Sequence, residues 1–144
     1  MNQEIVEKMN NLSQKYTRNR WFRESAFRED TLWTLYALQD GVSSISPHRG
    51  SGTITFIEGF FNLKDDDGMA NDNSKMTILS GNTKITIDGK YQISKVDKDG
   101  DFYKRMTFNV ENDLEHKPDP KFVSFVPNYF PGTMISTKII IRGN

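Results

Sequence analysis

A series of tight-turn signals constrains this chain more than any other feature of its sequence. From Thr31 onward they fall at Asp40-Gly41, His48-Arg49-Gly50-Ser51-Gly52, Gly81-Asn82, Asp88-Gly89 and Asp99-Gly100. Asp-Gly and Gly-Asn supply the positive φ that tight turns need, and between apolar, β-branched runs they signal hairpins. The runs between them are strand candidates: 31–39, 42–45, 52–63, 74–80, 83–88, 90–97, 101–110, 121–127 and 133–142. Several alternate. In 101–110, Phe102, Lys104, Met106 and Phe108 form one set, and Tyr103, Arg105 and Thr107 the other. In 52–57, Ile54 and Phe56 oppose Thr53 and Thr55. Gly59, inside the longest run, reads as a bulge or sharp bend.

Upstream the pattern is different. Ile5, Met9, Leu12 and Tyr16 recur at helical spacing, so residues 2–17 read as a helix with one narrow apolar stripe. The expected fold is mainly β: an antiparallel up-and-down meander over 31–142, barrel-like, preceded by an N-terminal helix within 1–20. The alternative is an α+β layer, in which residues 20–38 form a second helix and both N-terminal helices lie on a curved sheet. Lys64–Asn73 and Glu111–Pro120 are polar loops too short to be domain linkers, so 1–144 reads as a single domain.

Charge and cysteine content narrow the function. Nineteen basic and nineteen acidic residues give a formal net charge of zero, which argues against duplex nucleic acid or an anionic membrane as partner. The chain has no cysteine, which removes disulfides, thiolate chemistry and cysteine metal sites. No run approaches the ~18 apolar residues of a membrane span, and residues 1–8 lack the basic-then-apolar pattern of a signal peptide. The expected location is the cytoplasm, or a virion assembled in one.

Each chemistry-bearing motif has a plainer reading. Asp97-Lys98-Asp99-Gly100-Asp101 suggests a calcium loop, but an EF-hand needs Gly where Phe102 stands and Glu where Phe108 stands. A hairpin turn is the better reading. Asp65-Asp66-Asp67 with Asp72 reads as a solvated loop tip rather than an oxygen-ligand metal site. His48 and His116, the only histidines, lie in loops with no nucleophile or metal spacing beside them. The stretch Lys15–Arg28 interleaves five basic residues with Tyr16, Trp21, Phe22 and Phe27. It suits core aromatics with solvated arginines, a protein–protein hot spot, or a planar-anion site.

The order of elements resembles the calycin group of up-and-down barrels, the lipocalins and their relatives, and within it the S-type phycobiliprotein lyases. The residues are Asn19-Arg20-Trp21-Phe22-Arg23-Glu24-Ser25 for a G-x-W-type strand, Asp40-Gly41-Val42-Ser43-Ser44-Ile45 for a short Ser-containing strand, and Phe125-Val126-Pro127-Asn128 with Ile141-Arg142 for the closing hairpin. The Gly before the Trp and the family's Arg-Thr-Thr-His stretch are absent. The resemblance implies a barrel and, as ligand, a small apolar or tetrapyrrole-like molecule; it does not carry bilin transfer across.

No catalytic motif emerges, so the expected role is non-catalytic. In one reading a barrel-like pocket holds a small apolar or planar ligand, with Phe56, Tyr91, Phe102, Phe108 and Phe125 as walls and Arg23 or Arg105 as anion anchors. In the other the chain is a structural or assembly protein, such as a phage or virus particle subunit or an adaptor. It would then dock on a protein partner or a second copy through Ile5, Met9, Leu12, Tyr16, Trp21 and Phe22.

Overall fold

The structure, a computed structural model, describes residues 6–7, 10–11, 13–15, 29–39, 51–65, 73–98 and 100–140. The elements are α1 (Glu29–Ala37), α2 (Gly52–Asp65), β1 (Lys75–Ile87), β2 (Ser94–Lys98), β3 (Asp101–Arg105) and β4 (Val123–Lys138). Of the N-terminal segment, residues 6–7, 10–11 and 13–15 are helical, as its spacing predicts. The strands form two antiparallel pairs, β1 with β4 and β2 with β3. The described residues are about 29% helical and 39% strand, and among them no closed barrel forms. The meander is thus corrected to an α+β arrangement. The run 42–45 and the Asp40-Gly41 turn lie outside the described residues.

Two of the expected strands are helices. In 31–39, Leu32, Leu35, Tyr36 and Gln39 are buried, which is the i, i+3, i+4, i+7 set of a helix face rather than an alternation. Glu29 and Asp30 place acidic residues in the first turn, where the helix dipole favours them. In 52–63 the buried set is Ile54, Ile57, Phe60 and Phe61. Ser51 stands at the N-cap, its carbonyl accepting the Thr55 amide at 2.9 Å. The β-branched Thr53-Ile54-Thr55 lowers helix propensity by only a few tenths of a kcal/mol per residue. Burial of one face outweighs that. Gly59 is an ordinary helical position, not a bulge.

Four other expected strands merge into two. Gly81-Asn82 is not a hairpin turn: β1 runs through it, and β4 runs through Pro131-Gly132. Gly81 keeps the positive φ that the turn reading required, 56°, but uses it in a bulge, where Gly132 on the partner strand also has positive φ, 134°. The β1–β4 register shifts between Ser80 and Gly81 and again between Gly81 and Thr83. Asn82 Nδ2 donates across the ribbon to Val126 O at 2.9 Å and Pro127 O at 3.4 Å, holding the irregular stretch in place. The bulge also switches parity. Met76 and Ile78 point inward before it, and Thr83, Ile85 and Ile87 after it. Both halves of β1 therefore feed one core.

Asp-Gly behaves as expected elsewhere. Gly100 has φ 86° and joins β2 to β3, its amide donating to Asp97 Oδ1 at 3.1 Å. Gly89 has φ 102°, and Asp88 Oδ1 accepts the Lys90 amide at 2.9 Å in an Asx turn.

The core joins α1, α2, β1, Met106, Phe108 and Val123. Its polar fastener is Gln39. The fully buried amide donates to Leu35 O at 2.8 Å and Met106 O at 3.0 Å, and its oxygen accepts the Met106 amide at 2.8 Å. One side chain thus closes the C-terminal end of α1 and ties it to the chain leaving β3.

Gln39→Leu leaves the Met106 amide and carbonyl buried without partners, so unfolding in urea is expected to show a loss of about 2–4 kcal/mol at unchanged slope. Gly81→Val forces a β-branched residue to positive φ and is expected to cost about 1–3 kcal/mol in the same assay. A neutral Gly81→Val would mean that the bulge is not fixed by its backbone conformation.

Candidate docking cleft

Among the described residues the β1–β4 ribbon is covered on one face only. On that face Met76 and Ile78 of β1 are buried, while their cross-strand neighbours Thr137 and Ile135 of β4 are exposed. The helices lie mainly over β1, and every residue of β4 from Thr133 to Lys138 is exposed. Along the inner face of β4 this leaves a trough made of three adjoining clefts. The first, of about 330 Å³, runs past Asp30, Thr34, Asn82, Tyr129 and Gly132. The second, of about 450 Å³, lies between Trp33, Ala37, Leu38 and the strand residues Ile78, Thr133 and Ile135. The third, of about 740 Å³, is lined by Gly52, Thr55, Phe56, Gly59, Phe60, Asn62, Leu63, Met76, Thr137 and Ile139.

The third cleft is the most apolar. Its helix wall is built by spacing: Gly52, Phe56, Gly59 and Leu63 fall at i, i+4, i+7 and i+11, one stripe of α2 beside the stripe that faces the core. Phe56 is 52% and Leu63 60% exposed. No heavy atom lies within 4 Å of where a Cβ would stand at Gly52 or Gly59. The stripe is thus an open groove with two large apolar side chains flanking bare backbone. Such a surface accepts an apolar side chain or another backbone at close range.

The ligand-site residues expected from sequence are spread over the fold. Phe56 lines the third cleft. Phe108 is buried, and Tyr91 packs edge-on against it at 6.0 Å and against Phe122 at 5.3 Å. Phe102 is exposed on β3, Arg105 is half-buried at the end of that strand, and Phe125 lies on β4 opposite Thr83. Arg23 and the interface residues Ile5, Met9, Leu12, Tyr16, Trp21 and Phe22 lie outside the described residues, as do His48, Asp66, Asp67 and Asp72. Leu63 was not singled out by sequence, and Gly59 was read only as a bulge or bend, not as part of a site. The signal that finds them is the apolar and glycine spacing of 52–63 taken at helical period.

Asp113, His116, Asp119 and Lys90 make contacts that hold the fold. His116 Nδ1 sits 2.7 and 2.8 Å from the two carboxylate oxygens of Asp113, and Asp113 Oδ1 also accepts the amides of Glu115 and His116. Asn109, buried beneath this loop, donates to Asp113 O at 2.8 Å and His116 O at 3.1 Å. Asp119 accepts from Lys121 N, Lys90 Nζ and Tyr91 OH at 2.9–3.1 Å. Lys90 Nζ lies about 5 Å from the Tyr91 and Phe122 ring centres. Burial alone would raise both carboxyls. For Asp119 the bonds from Lys121, Lys90 and Tyr91 outweigh it, and for Asp113 those from His116 and Glu115 do, so both lie below the ordinary range. Burial pushes the Tyr36 hydroxyl well above its ordinary value, and that hydroxyl donates to Leu114 O at 2.7 Å. Among the described residues no three His, Asp or Glu side chains gather as a metal site, and no helix is long and apolar enough to cross a membrane.

No known protein family, curated protein or solved structure matches the chain.

The depressed Asp113 and Asp119 carboxyls make stability pH-dependent in one direction. Their contribution is complete above the unfolded carboxylate value of about 4, and is lost as pH falls through the lower folded values. Thermal unfolding followed by circular dichroism is expected to show Tm falling in that acid window. Asp119→Asn should lower Tm by a few degrees at neutral pH and flatten the acid slope. An unchanged slope in the Asp113→Asn, Asp119→Asn double variant would overturn this assignment.

Proposed function

We propose that this protein is a non-catalytic docking component, a structural or adaptor subunit whose working surface is the apolar trough beside β4. The observation that carries the reading is the α2 stripe, in which Phe56 and Leu63 stand exposed on either side of Gly59. Leaving two large apolar side chains in water costs stability that a partner recovers, and contiguous apolar grooves of this kind mark interaction sites. The trough is open along the β4 side, which suits a macromolecular partner better than an enclosed small molecule. The zero net charge makes apolar burial rather than electrostatic steering the driving term.

A second reading retains a small apolar ligand. It is favoured by the size of the third cleft, about 740 Å³, which falls within the span of small-molecule sites.

Both readings require the cleft to be accessible and apolar in solution. Titration with anilinonaphthalene sulfonate is expected to give saturable fluorescence that falls about tenfold in Phe56→Asp and Leu63→Asp, with little change in Tm because both positions are exposed. Dye binding that is unaltered by either substitution would sink the docking role of this cleft. Native mass spectrometry of the purified chain separates the two readings: a co-purifying apolar molecule on a monomer favours the ligand, and a ligand-free chain favours docking.

A further inference from the structure

The trough has a floor and one wall. The floor is the inner face of β4, and the wall is formed by α1 and then α2. Among the described residues nothing forms the other wall, because the described sheet ends at β4. We infer that the missing wall is a second copy of this chain, paired antiparallel through the free edge of β4 over Thr133–Lys138, so that two half-open troughs close one another. This inference rests on the docking reading above and names its partner.

Three observations support a second copy. The first is the state of the edge. Among the described residues β4 bonds only β1, and over Thr133–Lys138 its other edge is an open row of backbone donors and acceptors. Its first half carries edge-protecting features, Pro127, Pro131 and the bulge at Gly132. From Thr133 to Lys138 the sequence is Thr-Met-Ile-Ser-Thr-Lys, with no proline, no acid and a single charge at its end. The protection stops where the trough begins to be most apolar.

The second observation is geometric self-complementarity. A two-fold axis perpendicular to the sheet, lying midway between the two β4 strands and level with one residue, sets that residue opposite its own copy. With the axis at Ile135, Thr133 faces Thr137 of the mate and Met134 faces Ser136. Inner-face residues then meet inner-face residues, and all helices fall on one side. The spacing also closes. Strands lie about 4.8 Å apart. Helix α1 packs over both β1 and β4, so its mate would lie two strand spacings away, about 9.6 Å. Helices in contact lie about 8–10 Å apart. The α1 residues that would face the axis, Thr34 and Ala37, are small. The result is a four-stranded sheet, β1-β4-β4-β1, with an isologous interface.

The third observation is charge. With zero net charge and only Lys138 on the edge, two copies meet without repulsion. In each same-face register centred on Ile135, Ser136 or Thr137, Lys138 avoids its own mate.

The surface involved is roughly half the 20–30 residues a side of a standard interface. The expected complex is therefore a reversible dimer with Kd in the micromolar range. Sedimentation velocity of the full chain from about 1 to about 200 µM should show a monomer–dimer equilibrium. Thr137→Lys, at an exposed position, should raise Kd at least about tenfold. The cysteine-free chain allows a sharper readout, in single variants Ile135→Cys, Ser136→Cys and Thr137→Cys. Mild oxidation should yield a disulfide-linked dimer in whichever of these lies on the two-fold axis, since cross-strand Cα separations of about 4.5–5.5 Å suit a disulfide. Phe102→Cys, exposed on the other hairpin, serves as the collisional control. A chain that stays monomeric throughout, or a dimer in which none of the three cross-links faster than the control, overturns pairing through β4. The dye titration is read on the monomer at low concentration, so the cleft can survive that failure or fall independently of it.

Discussion

The bulge at Gly81-Asn82 decides where the apolar side chains of β1 go, and the rest of the fold follows from it. A regular strand would send Met76 and Ile78 to one face and Thr83, Ile85 and Ile87 to the other, because side chains alternate with period two. The positive φ at Gly81 and the Asn82 bonds to Val126 and Pro127 insert a change of parity. All five residues then become buried. A thirteen-residue strand thereby serves a single core made with α1, α2 and the segment around Phe108. The extra residues fall on the β4 side, where Pro131 and Gly132 bow outward, and the same irregularity leaves Tyr129 exposed.

One-sided coverage is the second consequence. Two helices as short as α1 and α2 cannot cover both strands of so long a ribbon. Among the described residues they lie mainly over β1, whose inward residues are large and apolar, with α1 also reaching β4, and they leave Thr133, Ile135 and Thr137 open. Gln39 fixes this choice by clamping the end of α1 to Met106. The trough is therefore a product of how the core is filled. Lys104 Nζ and Glu58 Oε2, 2.5 Å apart, join α2 to β3, but both groups are about one-third exposed and such a pair adds little. Packing of Ile54, Ile57, Phe60 and Phe61 holds α2 in place.

Turn chemistry was legible from sequence, and its consequences were only partly so. Gly100 lies in the turn that joins β2 to β3, and Asp88-Gly89 makes a turn. Gly81-Asn82 has the same local requirement for positive φ, yet it sits inside a strand because its partner strand is supplied from some forty residues downstream. Local sequence specifies the conformation of that glycine and not what lies opposite it. Thr31–Gln39 and Gly52–Leu63 were misread because each is apolar enough to satisfy period two and period 3.6 at once. The deciding signals were Glu29-Asp30 and Ser51, which mark helix starts. Phe56 was named as a ligand wall from strand alternation and reaches the cleft through helix geometry instead. That β4 is an edge strand is a property of the sheet, and nothing in Thr133–Lys138 declares it.

Closing an apolar surface over the third cleft has an energetic balance that can be set out from its parts. Fully burying a Phe or Leu side chain is worth about 1.5–3 kcal/mol, so closing over Phe56 and Leu63, each already about half-covered, recovers roughly 1 kcal/mol apiece. The unpaired strand edge adds backbone bonds that each contribute about 0.5–1.5 kcal/mol net. Against these stands the loss of translational and rotational freedom on association, at least about 4 kcal/mol. The balance is modest and is built from surface that the monomer already presents. No titratable group lines the third cleft to direct acid–base chemistry. Asp113, Asp119 and Lys90 stand elsewhere and are spent on holding the 106–122 segment. An apolar cleft wall beside a strand stretch whose one charge is Lys138 is physically suited to a second apolar surface.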